Sequence, residues 1–261
     1  MSPMRCVALL AGLLVVASAL AGVSEDLPLD QRRSSYDDMG PATRAMQDAD
    51  TDNPGMLWVL DGETLWRAKT GSAARACADC HGDATQSMAG VAARYPAFDP
   101  KRGGPVTLEG RINACRVENQ NAQTLAYESR ELLALSAYLA LQSRGKPIAI
   151  DEKKLGETIA AGRDIFRQRQ GQLNLSCAQC HDQHYGGKLA GNTIPQGHPN
   201  GYPLYRLEWQ TLGSLQRRLR NCLTGIRAEN HAYDSRELIA LETYLKWRAR
   251  GMLMESPAVR P

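Results

Sequence analysis

The feature that most constrains this chain is a repeated motif in which two cysteines are followed directly by a histidine. Residues 77–81 read CADCH and residues 177–181 read CAQCH, so both copies have C-x-x-C-H spacing. This spacing is typical of c-type haem attachment, because two thiols bond the haem vinyl groups and the histidine supplies an axial iron ligand. The sequence therefore predicts two covalently bound c-type haems. The predicted attachment residues are Cys77, Cys80, Cys177 and Cys180, and the predicted proximal iron ligands are His81 and His181.

Two other uses of such a motif fit less well. A redox-active C-x-x-C is expected beside a βαβ pattern, and no such pattern accompanies either copy. A Cys₂His₂ zinc site needs a second pair of histidines. His81 is the only histidine in the first half of the chain, so the zinc reading lacks ligands there.

The repeat extends well beyond the two motifs. Residues 62–67 align with 162–167 at an offset of 100, and residues 129–135 align with 235–241 at an offset of 106. At an offset of 107, Tyr95-Pro96 aligns with Tyr202-Pro203, Arg111 with Arg218, and Cys115 with Cys222. Self-similarity over this length predicts an internal duplication that gives two domains of one fold.

Helical patterns dominate both copies. The closing helices are predicted at about residues 129–143 and 235–249, where Leu and Tyr recur at helical spacing after the N-cap residues Ser129 and Ser235. Strand signals are weak because β-branched runs are few. We predict an all-α fold of two tandem cytochrome c-type domains. The predicted boundaries are 22–50 for an N-terminal extension, 51–150 for the first domain and 151–261 for the second domain.

The beginning of the chain is typical of a secretory signal peptide. Arg5 precedes an apolar run at residues 7–20, and an A-x-A arrangement follows at residues 19–21. A transmembrane anchor is the alternative, but a spanning helix needs roughly 20 apolar residues. We therefore expect residues 1–21 to be cleaved and the protein to be exported to the periplasm. The formal charge of +3 is too small to indicate nucleic acid or an anionic membrane as the main partner.

Comparison of the two copies also suggests the distal iron ligands. Electron-transfer cytochromes c usually use Met or His there, but neither residue recurs at an aligned position in both copies. Cys115 and Cys222 do recur, which predicts iron ligand pairs of His81 with Cys115 and His181 with Cys222. The alternative is a disulfide between Cys115 and Cys222, as expected of two spare cysteines in an oxidising compartment. The remaining histidines are predicted to be surface or haem-propionate contacts, and they are His184, His198 and His231.

A C-x-x-C-H motif paired with a distal cysteine, twice over and with R-x-x-x-C spacing, resembles the dihaem A subunits of the SoxAX cytochromes of bacterial sulfur oxidation. The resemblance covers roughly residues 50–250. It implies an L-cysteine S-thiosulfotransferase that joins thiosulfate oxidatively to a cysteine of the carrier protein SoxYZ. It also implies a heterodimer with the monohaem cytochrome SoxX, which accepts the electrons. By the same resemblance, Cys222 is the active-site residue, often found as a persulfide, and Arg218 binds the substrate.

The residues around the second lone cysteine independently favour an anionic substrate there. Arg218 and Cys222 are four positions apart, so they share a face of a helix. Residues 215–222 contain three arginines and no acidic residue, whereas residues 108–115 contain one residue of each sign. A dianion such as thiosulfate is therefore drawn to the second site, which makes the haem of the second domain the predicted catalytic haem. Because Arg111 occupies the same place in the first copy, pairing of such an arginine with a haem propionate stays open.

Three other functions are consistent with a dihaem protein. A pure electron-transfer cytochrome would have Met or His ligands and a dispensable cysteine. A thiosulfate dehydrogenase would couple two thiosulfates to tetrathionate and can also use His/Cys haem ligation. A dihaem peroxidase needs an open or displaceable iron position, which two cysteine ligands argue against. Turnover on thiosulfate with and without a cysteine-bearing carrier separates these functions.

Overall fold

The structure is a computed structural model that describes residues 26–261, so the predicted signal peptide lies outside the described residues. Across residues 26–261, no helix is both long and apolar enough to cross a membrane. The α-helices of this part are α1 (Pro41–Asp48), α2 (Met56–Arg67), α3 (Cys77–His81), α4 (Ala84–Ser87), α5 (Leu108–Gln120), α6 (Arg130–Leu141), α7 (Glu152–Arg167), α8 (Leu215–Gly225) and α9 (Arg236–Arg248). The protein is mostly helical, as predicted.

Two pairs of packed helices form the centres of the two domains, α2 with α6 and α7 with α9. Both pairs cross at a glycine. A Cβ atom on Gly62 would lie 2.1 Å from the carbonyl oxygen of Ala134, and one on Gly162 would lie 2.0 Å from that of Ala240. No side chain fits at such a distance, so glycine is required at both crossings. The aligned glycines of the sequence repeat therefore perform the same packing task.

The closing helices confirm the sequence prediction and end slightly earlier than expected, at Leu141 and Arg248. The predicted N-caps are also confirmed. The Ser129 hydroxyl accepts a hydrogen bond from the backbone N–H of Leu132, and the Ser235 hydroxyl accepts one from Leu238. These bonds satisfy N–H groups that have no partner within the helix.

The prediction of a purely helical fold is wrong in one respect, because short strands are present. They are β1 (Ala97–Asp99), β2 (Gly104–Val106), β3 (Lys188–Leu189), β4 (Asn192–Thr193), β5 (Leu204–Arg206), β6 (Thr211–Gly213) and β7 (Ala258–Arg260). The pairs β1–β2 and β3–β4 are hairpins, and β5 lies between antiparallel β6 and parallel β7. Strands of two or three residues are too short to show the alternation of apolar and polar residues that identifies a strand in a sequence.

The interface between the domains has equivalent contacts from both sides. Tyr127 stacks on Tyr233 with 5.5 Å between ring centroids. The first domain contributes Glu128, which accepts a hydrogen bond from the backbone N–H of Ser214, the N-cap of α8. In return, Asp234 accepts one from the Thr107 hydroxyl, at the N-cap of α5. The site on α8 is thereby tied to the first domain.

Residues 26–50 lie mainly against the second domain. The backbone N–H of Arg33 donates to Gln196 at 2.7 Å, and the Arg260 side chain in β7 donates to Ser35 at 2.7 Å. The connection between the domains is also fixed, because the N–H of Ile148 donates to the carbonyl of Met252 at 2.9 Å. The N-terminal residues and the connection between the domains are therefore both held against the second domain.

Candidate functional site

The imidazole of His181 is held in a defined orientation. The chain around it forms a π-helical turn at Gln179–Gln183. The Nδ1 atom lies 2.7 Å from the carbonyl oxygen of Pro195, to which it donates its proton. Gly197, with φ of +79°, passes so close that a Cβ would lie 3.2 Å from the ring. Because the bond at Nδ1 fixes the tautomer, the lone pair of Nε2 is available to a metal.

Cys222 on α8 is half-buried and lies next to His181. Burial by itself would raise the pKa of the Cys222 thiol. The adjacent His181 and the positive charge of Arg218 outweigh burial, so the pKa of Cys222 is lower than usual. The aligned Cys115 is also half-buried, but there burial prevails over Arg111 and raises the pKa. The two lone cysteines therefore differ in their electrostatic surroundings.

Each lone cysteine faces the cysteine pair of its own domain. Burial and, next, the nearby Cys222 raise the pKa of both Cys177 and Cys180, in the case of Cys177 to about 12. In the first domain, burial raises the pKa of Cys77, and Cys115 adds to the effect. A donor set of two thiols, one imidazole and one facing thiol fits a covalently bound haem in each domain.

The first site is built around a tryptophan. The Trp66 ring lies 5.6 Å from the His81 ring, and its indole N–H donates to the carbonyl of Gly82 at 3.0 Å. None of the six cysteines within residues 26–261 forms a disulfide, and Cys115 and Cys222 lie on the separate helices α5 and α8. In the same part of the chain, no group of three or more His, Cys, Asp or Glu side chains is arranged to hold a bare metal ion.

The two aligned arginines have different partners. Arg111 forms an ion pair of 2.9 Å with Asp99, a side chain that is only 3% exposed, and it also hydrogen-bonds Tyr95. Arg218 forms neither a hydrogen bond nor an ion pair with any residue that the structure describes. Burial lowers the pKa of Arg218, but the neighbouring Cys222 and other groups raise it above its ordinary value. Arg218 is therefore a cation without a fixed counter-ion beside the second lone cysteine.

Fewer arginines of α8 are available to bind an anion than the sequence suggested. Arg217 packs over the Trp209 ring at 4.3 Å and lies 3.9 Å from Glu128. Arg220 packs over the Tyr233 ring at 4.5 Å and donates to the carbonyl of His231. Both guanidinium groups are committed to other contacts, which leaves Arg218 as the free arginine of the three.

Arg206 is a neighbour of Cys222 that the sequence reading missed. It lies at the end of β5, and Arg218 and Cys222 are both close enough to shift its pKa, although burial is the main cause of the shift to a lower value. The repeat contained a signal, since an offset of 107 aligns Arg206 with Asp99. This signal is a difference between the copies rather than an identity, so an alignment of shared residues does not reveal it.

One of the three remaining histidines corrects the prediction. His184 is exposed and His231 is half-buried, but His198 is only 7% exposed. Its Nδ1 atom donates to the carbonyl of Arg33 at 3.0 Å. The prediction of a surface position is thus wrong for His198, whereas contact with a haem propionate stays a prediction. The N-terminal residues cover it, which the composition of that segment did not indicate.

Two helical domains that each pair a C-x-x-C-H motif with a facing cysteine define a tandem-domain cytochrome c. The family model described as SoxA/TsdA, cytochrome c domain, matches this chain twice, at residues 61–148 and 161–254. The chain belongs to this family, on the SoxA side, and it binds c-type haem covalently. The family predicted from the sequence is therefore confirmed.

Individual relatives agree with this assignment. The L-cysteine S-thiosulfotransferase subunit SoxA of Pseudaminobacter salicylatoxidans is 37% identical over 242 residues, which cover 92% of this chain and 85% of the relative. The subunit of the same name from Rhodovulum sulfidophilum is 35% identical, over 88% of this chain and 81% of the relative. The crystal structure of SoxXA from P. pantotrophus matches with a TM-score of 0.85 and 31% identity, over 88% of this chain and 87% of that one.

Proposed function

We propose that this chain is the haem-bearing subunit of an L-cysteine S-thiosulfotransferase, which conjugates thiosulfate oxidatively to a cysteine of a carrier protein like SoxYZ. The relatives that match over most of its length have this activity in their names. The observation that carries the proposal is the contact of Cys222 with His181 beside Arg218, a cation without a fixed partner. A sulfur nucleophile next to a free cation suits an anionic sulfur substrate.

The residues proposed to hold the two haems follow from the donor sets. Cys77 and Cys80 would attach the first haem, and Cys177 and Cys180 would attach the second. Each iron would be held between a histidine and a cysteine, His81 with Cys115 and His181 with Cys222. When bound, haem supplies a one-electron acceptor next to the reacting sulfur. The carbonyl of Pro195 holds His181 in the tautomer that such a ligand needs.

The sulfur chemistry itself is assigned to Cys222. Its thiolate joins the outer sulfur of thiosulfate, and the new S–S bond forms as two electrons leave the pair of sulfur atoms. These electrons would pass to two one-electron acceptors, a haem of this chain and the haem of the monohaem partner. The carrier thiolate then attacks the thiosulfate-derived sulfur and displaces the Cys222 thiolate. The sum is carrier–S⁻ plus S₂O₃²⁻ giving carrier–S–SSO₃⁻ and two electrons. A persulfide on Cys222 would be a related form in which one sulfur atom is retained.

Arg218 is proposed to bind the sulfonate end of the substrate. The side chain lies one helical turn from Cys222, so an anion held by it lies beside the thiol. Its unpaired state supports this role, whereas the equivalent Arg111 is neutralised by Asp99. The first domain would then serve in electron transfer rather than in substrate binding.

The remaining proposals concern the surroundings of the enzyme. The match to a SoxXA crystal structure supports a heterodimer with a monohaem SoxX-like cytochrome. We assign residues 1–21 to a cleaved signal peptide and the mature protein to the periplasm. We also propose that the domains, at residues 51–150 and 151–261, arose by duplication and follow an N-terminal extension at residues 22–50. The equivalent glycine crossings at Gly62 and Gly162 support the duplication.

Two experiments test these proposals. Thiosulfate-dependent reduction of an electron acceptor should require the carrier protein, and mass spectrometry should find the SSO₃ group on its cysteine. Turnover without the carrier that yields tetrathionate would instead identify a thiosulfate dehydrogenase. Absorption and electron paramagnetic resonance spectra of the oxidised protein should show two low-spin His/thiolate haems. Met-type sulfur-to-iron absorption, or a Cys115–Cys222 bridge found by peptide mapping, would contradict the ligand assignment.

A further inference from the structure

A reversal of charge distinguishes the surroundings of the two lone cysteines. Asp99 and Arg206 occupy aligned positions, each as the last residue of the first strand of a hairpin, β1 and β5. In the first domain the acidic residue neutralises Arg111 at 2.9 Å. In the second domain the same place in the fold holds a second cation, so Arg218 has gained a like charge where its counterpart has a carboxylate.

The contacts of Arg206 leave part of its guanidinium unused. The side chain is 12% exposed and packs over the Trp209 ring at 5.4 Å. One terminal nitrogen lies 2.7 Å from a carboxylate oxygen of Glu208, which is 62% exposed. An ion pair with so exposed an acid contributes little. The Nε atom of Arg206 is buried and has no hydrogen-bond partner among the described residues.

Two guanidinium groups beside one sulfur atom repel each other unless an anion lies between them. The negative charges near Arg206 and Arg218 are those of Cys222, Tyr202 when ionised, and the exposed Glu208. Burial raises the pKa of Tyr202 to about 12, so its phenol is neutral at physiological pH. A ligand with two negative charges can pair with both arginines, whereas a ligand with one charge can pair fully with only one of them.

We infer that Arg206 is a second substrate-binding residue, which forms with Arg218 a two-cation receptor that selects doubly charged sulfur oxyanions over singly charged ones. The identity of the natural dianion rests on the proposed function, but the charge selectivity does not. Arg206 is a specificity-determining residue in this arrangement, because Cys222 performs the covalent step. Asp99 explains why the first domain, with the same R-x-x-x-C spacing, offers no such receptor.

The test uses two inert anions of similar shape, sulfate with two charges and methanesulfonate with one. Calorimetric titration of the haem-loaded protein, without carrier, should show at least tenfold tighter binding of sulfate. In Arg206→Gln, sulfate binding should weaken by about ten- to a hundredfold, the range of one charge-assisted hydrogen bond. Methanesulfonate binding should change less than about threefold. The KM for thiosulfate should rise by the same factor as the sulfate Kd, with kcat little changed.

Two further variants make the result decisive. Arg102→Gln removes one positive charge from the corresponding hairpin of the first domain, and it should behave like the wild type. Glu208→Gln removes the exposed partner of Arg206 and should tighten sulfate binding by up to about fivefold. Because Glu208 is exposed, this variant remains informative even if Arg206→Gln fails to load haem.

An unchanged sulfate-to-methanesulfonate ratio in Arg206→Gln would overturn the inference, and so would an equal loss of both anions. Weaker sulfate binding in Glu208→Gln would also contradict it. These outcomes do not depend on whether the proposed function is correct. Anion binding is measured without turnover, whereas the proposed function fails if Cys222→Ala still conjugates thiosulfate to the carrier.

Discussion

Asp99 and Arg111 form an ion pair of 2.9 Å in the first domain, and this pair has no equivalent in the second. Position 206, which aligns with Asp99, is an arginine. Arg218, which aligns with Arg111, therefore keeps its charge available beside Cys222. A single change of sign between the two copies thus separates a structural arginine from one that is free to bind an anion.

Replacement of Arg218 by alanine should weaken turnover of thiosulfate without loss of either haem. A charge-assisted contact with a partly buried anion contributes about 1.5–3 kcal/mol, which corresponds to a roughly ten- to hundredfold lower kcat/KM. Steady-state kinetics with the carrier protein, together with a haem assay of the purified variant, would measure both quantities.

Arg111→Ala is the matched control for this substitution. It removes an arginine from the same helical position but leaves Asp99, 3% exposed, without its cation. We therefore expect lower stability of the first domain in urea and nearly normal turnover by the folded, haem-loaded protein. Equal losses of turnover in the two variants would show that Arg218 has a structural role such as propionate binding.

The close approach of Gly197 to His181 leads to a second prediction. Alanine at position 197 would combine a φ of +79° with a Cβ 3.2 Å from the imidazole, so it should displace the ring. Alanine at position 186 would have a similar φ of +82°, but no atom lies within 4 Å of the Cβ that it would add. Both variants should lose about 1–2 kcal/mol of stability from backbone strain.

Only the Gly197→Ala variant should also change the absorption spectrum and the reduction potential of the second haem. Potentiometric titration of both variants measures the difference. Identical potentials in the wild type and in Gly197→Ala would mean that His181 is not an axial ligand, or that its ring orientation does not matter to the iron.

The burial of His198 leads us to predict a loss of stability in acid. Burial, opposed only in part by the hydrogen bond to the Arg33 carbonyl, lowers the pKa of His198 to about 4, and the facing charges of Arg248 and Arg32 act in the same direction as burial. The unfolded chain therefore binds a proton near pH 6.5 that the folded chain resists. The contribution to stability is complete above pH 6.5 and is lost as the pH falls toward 4.

Between pH 7.5 and 5 this group alone should lower the free energy of unfolding by roughly 1–2 kcal/mol. Asparagine at position 198 retains a donor for the Arg33 carbonyl but does not titrate in this range. Urea unfolding at several pH values should thus show a flatter acid dependence for His198→Asn than for the wild type. Parallel curves would assign the acid sensitivity to other groups.

The sequence predicted those features that the two copies share. Gly62 and Gly162 align because each lies where two helices touch, and Cys115 and Cys222 align because each faces a C-x-x-C-H motif. Identity between copies marks a common physical requirement. For this reason the helices, their caps and the candidate haem residues could be proposed before the structure was known.

The features that the sequence left hidden are those in which the copies differ. Pro195 belongs to the longer loop of the second copy. Gly197 aligns with Gly90 at the offset of 107, but a Cβ on Gly90 would meet nothing closer than 4.0 Å, so the close approach to an imidazole is peculiar to the second copy. Arg206 is sixteen residues before Cys222 in the chain, and the β5–β6 hairpin brings the two residues close together. The covering of His198 depends on Arg33, which is 165 residues distant in the chain. Contacts of this kind depend on tertiary packing and leave no local pattern in the sequence.

The most direct measurement of the central claim compares two variants, Cys222→Ala and Cys115→Ala, in steady-state turnover with thiosulfate, the carrier protein and an electron acceptor. Cys222→Ala should abolish conjugation, because the nucleophilic sulfur beside Arg218 is removed, while Cys177 and Cys180 keep the second haem attached. Cys115→Ala should shift the spectrum and potential of the first haem but keep much of the activity. Survival of activity in Cys222→Ala with its loss in Cys115→Ala would contradict the account and move the active site to the first domain.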